Sequence, residues 1–226
     1  MFGLFNENNF LHVALLRIWD LVIANLLFIL CCIPLVTIGP ALTALYHCTL
    51  KMVKGNYPGT FKTFFRAFKQ NFKQSIIVWL ATVILGFVLF ANFQFLTYQA
   101  GSISQILMYL TAAIALFAGM MVIYIYPVIA TFEGTLKMQL KNAFLFSWMK
   151  FFKSIIMLLI WGMPLLMTFT DIQLQPLYIF CWFFFGFSTL AYICSFMLYK
   201  MFKPYLPEEE EPDESKYYED HSAYLS

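Results

Sequence analysis

The sequence predicts an all-α membrane protein, a polytopic bundle of about five transmembrane helices with two basic amphipathic interface helices. Its 226 residues are 62% hydrophobic and 12% charged, whereas a soluble protein is about half apolar and a quarter charged. The mean hydropathy of +0.75 points the same way. Long apolar runs alternate with short connections, and these runs are the predicted spans: residues 18–38, 75–96, 103–132, 154–170 and 177–199.

The segment before the first span, residues 1–16, contains no Lys or Arg. A cleavable signal peptide is therefore not expected, and we predict that this segment lies along the membrane surface. Within the span, Asp20 is three residues from Arg17, and an ion pair at the membrane edge is favoured over a role in transport. Asn25 is deeper, and we expect it to hydrogen-bond a neighbouring helix.

A break is predicted in the stretch Cys31–Ala44, where prolines interrupt an apolar helix. Ile33 and Gly39 each precede a proline and are expected to leave helical geometry, because that position disfavours the α conformation. Carbonyl groups freed at membrane depth need partners. We predict that the Thr37 hydroxyl bonds one of them.

A short helix is predicted after the break, over residues 40–53, with Pro40 as its first residue. It carries His47 and Lys51 and is too short and too polar to span a membrane alone. A structural His47, with its ring hydrogen-bonded, is favoured over a ligand-binding one.

Two basic stretches are predicted to lie at the interface as amphipathic helices. In residues 60–74 phenylalanines occupy one helical face and cations the other. Residues 137–153 form the second stretch. Anionic lipid headgroups are the expected partners of their side chains. The predicted headgroup contacts are Lys62, Arg66, Lys69, Lys73, Lys150 and Lys153.

An internal repeat is one interpretation of the sequence, covering residues 18–97 and 103–170 with residues 177–199 as an additional helix. Gly59–Lys62 (GTFK) resembles Gly134–Lys137 (GTLK). Both halves would have the same orientation in the membrane. The alternative is chance similarity in an apolar sequence. The predicted hinge residues of the two copies are Pro34, Thr37, Gly39, Pro40, Pro127, Thr131 and Gly134.

Charge asymmetry predicts the topology. Residues 51–73 hold six basic residues and no acidic one, and the connection between the third and fourth spans is also basic. The positive-inside rule then places the N-terminus outside and the C-terminus in the cytoplasm. If residues 40–53 re-enter the membrane, the N-terminus moves inside. Residues 1–205 form one membrane domain, and the acidic residues 206–226 are interpreted as a solvated, disordered tail.

Signals for catalysis are missing from the sequence, which contains no phosphate-binding glycine loop, no H-E-x-x-H and no G-x-S-x-G. The histidines, His12, His47 and His221, are far apart. We therefore expect a protein that is not an enzyme, with no catalytic residues, no metal, no cofactor and no nucleic-acid partner.

The motif P-x-x-T-x-G-P-A at Pro34–Ala41, with F-x-x-N-F-K-Q at Phe68–Gln74, resembles the YesL-like family. These are integral membrane proteins of unknown function from Gram-positive bacteria, and the resemblance extends to about Lys203. Family members are often encoded beside carbohydrate ABC transporters and polysaccharide-degrading enzymes. The resemblance implies an accessory role in sugar uptake, by association only, and it supplies no catalytic residues.

Three functions follow as expectations. The first is an accessory or regulatory component of carbohydrate ABC uptake in the bacterial plasma membrane. Its partners would be transporter subunits or a second copy of the chain. The second is a small-solute transporter or channel that uses the two breaks. The third is a membrane-structural or lipid-interacting protein.

Overall fold

The computed structural model describes residues 10–55, 59–99 and 101–206, with side chains from Leu15 onward. The acidic residues after Leu206, the first nine residues and positions 56–58 lie outside the described residues, so the predictions made for them stay predictions. The principal helices are α1 (Phe10–Cys32), α2 (Ile38–Lys54), α3 (Thr60–Thr97), α4 (Ser102–Thr131), α5 (Leu136–Met149), α6 (Phe151–Thr170), α7 (Gln175–Cys181) and α8 (Phe187–Phe202).

The all-α membrane fold class is confirmed. Within the described residues, five helical segments are long and apolar enough to cross a membrane: Leu15–Cys32, Thr60–Thr97, Ser102–Thr131, Phe151–Thr170 and Gln175–Tyr205. Large apolar side chains are exposed along all of them, as lipid-facing surfaces require. The last segment comprises α7, a π-helical turn at Trp182–Gly186, α8 and a short 3₁₀ turn.

Helix α1 differs from its prediction at both ends. It runs without interruption from Phe10 to Cys32, so the described part of residues 1–16 continues into the span. The break comes earlier than residue 38, because Pro34 prevents the helix from continuing. A 3₁₀ turn at Leu35–Thr37 then leads into α2.

Helix α2 is enclosed by protein rather than lying at the interface. It contacts α1, α3, α4 and α8, and most of its residues are buried. Small residues such as Ala41 and Ala44 let the neighbouring helices approach closely. Two buried hydroxyl pairs bridge the helices: Thr43 and Ser75 are 2.8 Å apart, and so are Thr49 and Ser195.

The chain turns back on itself between α1 and α2. Arg17, near the start of α1, donates a hydrogen bond to the carbonyl of Met52, near the end of α2. Thr60, the first residue of α3, donates to Asp20 of α1 over 2.5 Å. The starts of α1 and α3 therefore lie at the same end of the bundle. This arrangement disagrees with the topology that put them on opposite sides of the membrane.

Helix α3 is continuous over 38 residues, about 57 Å at 1.5 Å per residue. The prediction of a separate interface helix over residues 60–74 was wrong, because no Gly or Pro stands between Thr60 and Leu85 to end the helix. Phe64 and Ala67 face the protein core with 0% exposure. At these two residues α3 therefore packs on the protein, whereas Phe61 on the predicted phenylalanine face is 65% exposed.

The second basic stretch forms a helix of its own. Helix α5 ends at Met149, Lys150 has left helical geometry, and α6 begins at Phe151. The order long helix, short helix, long helix recurs in α4–α6. However, the matching segments GTFK and GTLK stand at the start of α3 and at the start of α5, and α3 is continuous where α5 and α6 are divided. The repeat therefore stays a prediction.

Candidate functional site

In the turn at Pro34, backbone carbonyl groups accept hydrogen bonds from side chains. As predicted, the Thr37 hydroxyl bonds nearby carbonyls: it lies 2.6 Å from the carbonyl oxygen of Cys31 and 2.7 Å from that of Pro34. The Trp79 indole on α3 donates to the carbonyl of Leu35 over 2.8 Å. The turn is thus a hydrogen-bonded connection anchored to α3.

Gly39 lies within the helix, contrary to the prediction, since α2 begins at Ile38. A Cβ atom at Gly39 would stand 2.5 Å from the carbonyl oxygen of Ser75 and 2.6 Å from Trp79 Cβ. Gly39 is therefore a position of close helix contact. Pro40 sits in the first turn of α2, near the predicted N-terminal position, where its missing N–H costs nothing.

The second predicted break does not occur at Pro127, because α4 continues through Pro127 to Thr131. The Thr131 hydroxyl donates to the carbonyl of Pro127 over 2.7 Å, the contact with the carbonyl four residues earlier that threonines make in helices. The chain turns only afterwards, where Gly134 has φ of 151°. Its carbonyl accepts a hydrogen bond from Gln74 over 3.1 Å.

The two polar residues of α1 bind other helices. Asp20 is 3% exposed and accepts the bond from Thr60 described above. Its predicted ion pair with Arg17 stays a prediction. Asn25 is fully buried and bonds the π-helical turn, as expected for a contact between helices. Its amide donates to the carbonyls of Trp182 and Phe183 and accepts from the Ser188 N–H, over 2.9, 2.7 and 3.0 Å.

A basic cleft opens where α2 and α4 end and α3 begins. We define it by five side chains: His47, Lys51 and Lys54 on α2, and Lys62 and Arg66 on α3. Two cavities adjoin there, because both are lined by His47 and Lys51. One of about 450 Å³ extends to Glu133, Tyr205 and Leu206, and one of about 90 Å³ lies between α2 and α3.

His47 is held by a backbone contact at the inner wall of the cleft. Its Nδ1 is 2.8 Å from the carbonyl oxygen of Ala130 on α4. Burial lowers the pKa of His47 below its ordinary value, the bond to Ala130 opposes this shift, and the charges of Lys51, Lys54 and Arg66 lower the pKa further. The ring is therefore neutral at pH 7, with Nδ1–H donating to Ala130 and Nε2 left as an acceptor.

The predicted headgroup contacts separate into three places. Lys62 and Arg66 line the basic cleft with His47. Lys69 and Lys73 lie further along α3 and are exposed. Lys150 and Lys153 lie at the junction of α5 and α6, the first exposed and the second half-buried.

Lys51 and Lys54 were not predicted to be part of a site. Their spacing contains a signal, since residues 47, 51 and 54 share one face of a helix. Nothing in the sequence showed that this face meets Lys62 and Arg66. Within the described residues, no group of three or more His, Cys, Asp or Glu side chains is arranged to hold a metal ion.

A second groove lies between the outer halves of α3 and α4. Its cavity is about 580 Å³, and its lining is mostly apolar, including Leu85, Gly86, Phe90, Ala115 and Gly119. These residues belong to two of the candidate spans. The groove therefore offers apolar surface without a cluster of charged or nucleophilic groups.

Together, the five long apolar helices and the basic cleft at one end define an all-α protein of multi-pass membrane type. Within this class, residues 21–93 match a family model described as a protein of unknown function, DUF624. The match covers about a third of the chain and extends from α1 through α2 into α3. No curated protein and no solved structure matched the chain.

Proposed function

We propose that the protein is an accessory or regulatory membrane protein of carbohydrate ABC uptake in the bacterial plasma membrane, with no enzymatic activity of its own. The link to sugar uptake rests on the resemblance to the YesL-like family. The match of residues 21–93 to a family model of unknown function is compatible with that resemblance.

The observation that carries an accessory role is the use of the intramembrane polar groups. Asn25 hydrogen-bonds the backbone of the π-helical turn, and Thr37 and Trp79 hydrogen-bond the backbone of the turn at Pro34. Thr43 pairs with Ser75 between α2 and α3. These groups stabilise helix contacts, which favours a protein that acts by binding another component.

The basic end of the bundle is proposed to face the cytoplasm. Lysines and arginines gather there, and the turn at residues 98–101, beyond the far end of α3, contains none. Because the starts of α1 and α3 share the basic end, the N-terminus is proposed to be cytoplasmic together with the C-terminus. This replaces the expectation of an external N-terminus.

Co-purification tests the proposed function. The tagged full-length chain is expressed at its native level, extracted in mild detergent, and its co-eluting proteins are identified by mass spectrometry. A sugar ABC permease or its binding protein is expected at higher yield than with a tagged unrelated membrane protein. Absence of every ABC component from the eluate would contradict the proposal.

A small-solute transporter is the second candidate. The interrupted helices at Leu35–Thr37 and Trp182–Gly186 favour it, because transporters build solute sites at such discontinuities. Flux of a sugar panel into liposomes containing the pure protein tests this candidate. Flux above that of empty vesicles would support transport, and equal flux would remove it.

The lipid-interacting alternative is favoured by the exposed cations Lys69 and Lys73 on α3. Replacement of Lys62, Arg66, Lys69 and Lys73 by Gln is expected to weaken dependence on anionic lipid in this case. Unchanged lipid association in the variant would refute the alternative.

A further inference from the structure

The basic cleft concentrates positive charge that two separate helices contribute. Lys51 and Lys54 come from the last turn of α2, and Lys62 and Arg66 come from the first two turns of α3. All four line cavities that share His47. Among the described lining residues the carboxylate is that of Glu133, which is exposed. The lining therefore carries a net positive charge.

The position of the charges argues against a purely structural role. Cations in the last turn of a helix compensate its dipole, which accounts for Lys51 and Lys54 on α2. The same rule disfavours Lys62, because it stands in the first turn of α3, where the dipole is positive. Like charges that converge across a cavity repel one another. An anion bound between α2 and α3 would offset both the unfavourable interaction with the helix dipole and the repulsion between the cations.

The Lys and Arg donors that line the cleft favour one class of anion, the phosphoryl group. A phosphoryl group presents several oxygens to donors that arrive from different directions, and Arg and Lys are its usual partners. The cleft supplies such donors from two walls, one on α2 and one on α3. The cavity of about 90 Å³ between these walls is lined by Lys51, Lys62 and Arg66. The adjoining cavity of about 450 Å³, lined by Lys51 and Lys54, has room for part of the substituent of a phosphate ester.

We propose that the basic cleft is a binding site for a phosphoryl group, held by Lys51, Lys62 and Arg66 with His47 at its inner wall. The ligand is an anionic phospholipid headgroup or a soluble phosphate ester. Both sources present the same chemistry to the cleft. The site goes beyond the proposed accessory role and does not depend on the identity of a protein partner.

A pair of matched variants tests the site in the full-length chain. Lys51→Gln with Arg66→Gln removes two charges from the cleft. Lys69→Gln with Lys73→Gln removes two charges from exposed positions of α3 outside it. Retention of phosphatidylglycerol is measured by native mass spectrometry, and binding of inorganic phosphate is measured by calorimetry in detergent. Melting temperatures check that each variant folds.

The expected result is binding at least about tenfold weaker in the cleft variant than in the wild type, with the control variant near the wild type. Loss of phosphatidylglycerol alone identifies a lipid headgroup as the ligand, and loss of phosphate binding identifies a soluble ester. Equal weakening in both variants would overturn the proposal, since it indicates diffuse attraction to the surface. Absence of binding to both probes in the wild type would also overturn it.

One more arm addresses the acidic residues that follow Leu206, which lines the cleft. Glu208, Glu209, Glu210 and Glu211 are replaced by Gln in the full-length chain. Binding in both chains supports a phosphoryl site. Binding confined to the neutralised chain would overturn the proposal for the wild type, because it makes the acidic segment the occupant of the cleft.

Discussion

The backbone of Gly39 lies directly against Ser75, so that a Cβ on Gly39 would stand 2.5 Å from the Ser75 carbonyl oxygen. This contact sets the distance between α2 and α3 at the start of α2. Four residues further on, the hydroxyls of Thr43 and Ser75 meet at 2.8 Å. Close approach and a buried hydroxyl pair together hold the enclosed helix in place.

Gly39→Ala is expected to destabilise the protein by about 1–3 kcal/mol, the usual cost of overpacking, because the Ser75 backbone has to move. Gly86→Ala, also within a helix, is the matched control, since nothing lies within 4 Å of its added Cβ. The control is expected to be neutral or slightly stabilising. Unfolding in detergent measures both variants. Equal stability of the two would show that α2 and α3 are not in close contact.

Asn25→Leu is expected to cost about 1–3 kcal/mol, because it leaves two carbonyls and the Ser188 N–H without their partner. Asn92→Leu is the comparison, since Asn92 donates a hydrogen bond to the Thr111 hydroxyl, a single contact between helices worth about 0.6 kcal/mol. The free energy of unfolding is measured for both. A loss at Asn25 no larger than that at Asn92 would contradict its role in holding the π-helical turn.

We expect the stability of the protein to depend on pH through the ionisation of His47. Its pKa is lowered in the folded state by burial and by neighbouring cations, so the unfolded chain binds the proton more tightly. The contribution of neutral His47 to stability is therefore fully present above about pH 6.5, the ordinary pKa of histidine. It is lost as the pH falls from there toward the pKa of His47 in the folded state. Melting temperatures of wild type and His47→Gln, measured between pH 8 and 5, are the test.

The wild type is expected to lose more stability on acidification than His47→Gln, which has no proton to take up. Parallel curves for the two proteins would show that His47 is not held neutral in the folded state. The comparison cancels the other titrating groups, because they are the same in both chains.

Hydropathy was sufficient to predict the class and the spans, because the lipid-facing surface has to be apolar along its whole length. The local chemistry of Thr37 was also readable, since its partners are only a few residues away. Asn25 was expected to bond another helix, but the sequence did not identify the π-helical turn at Trp182 as its partner.

The burial of α2 was not predictable from its own residues. His47 and Lys51 made the segment look too polar to span a membrane, whereas its Thr and Ser pairs depend on residues far along the chain, such as Ser195. The continuity of α3 was easier to predict from the sequence. Alternation of Phe and Lys suggested a surface helix, but the absence of Gly and Pro up to Leu85 already favoured one long helix.

The side of the membrane on which the N-terminus lies is the most direct test of the proposed topology. The hydrogen bonds from Arg17 to Met52 and from Thr60 to Asp20 put the starts of α1 and α3 at one end. Every proposal for the basic end depends on that arrangement.

Reporter fusions measure it in cells, with GFP active in the cytoplasm and alkaline phosphatase active outside. Each reporter is fused to the N-terminus, to the C-terminus and, as the external control, within the turn after Tyr98. We expect fluorescence without phosphatase activity at both termini and the reverse at the turn. Phosphatase activity at the N-terminus with fluorescence at the C-terminus would contradict the proposed topology.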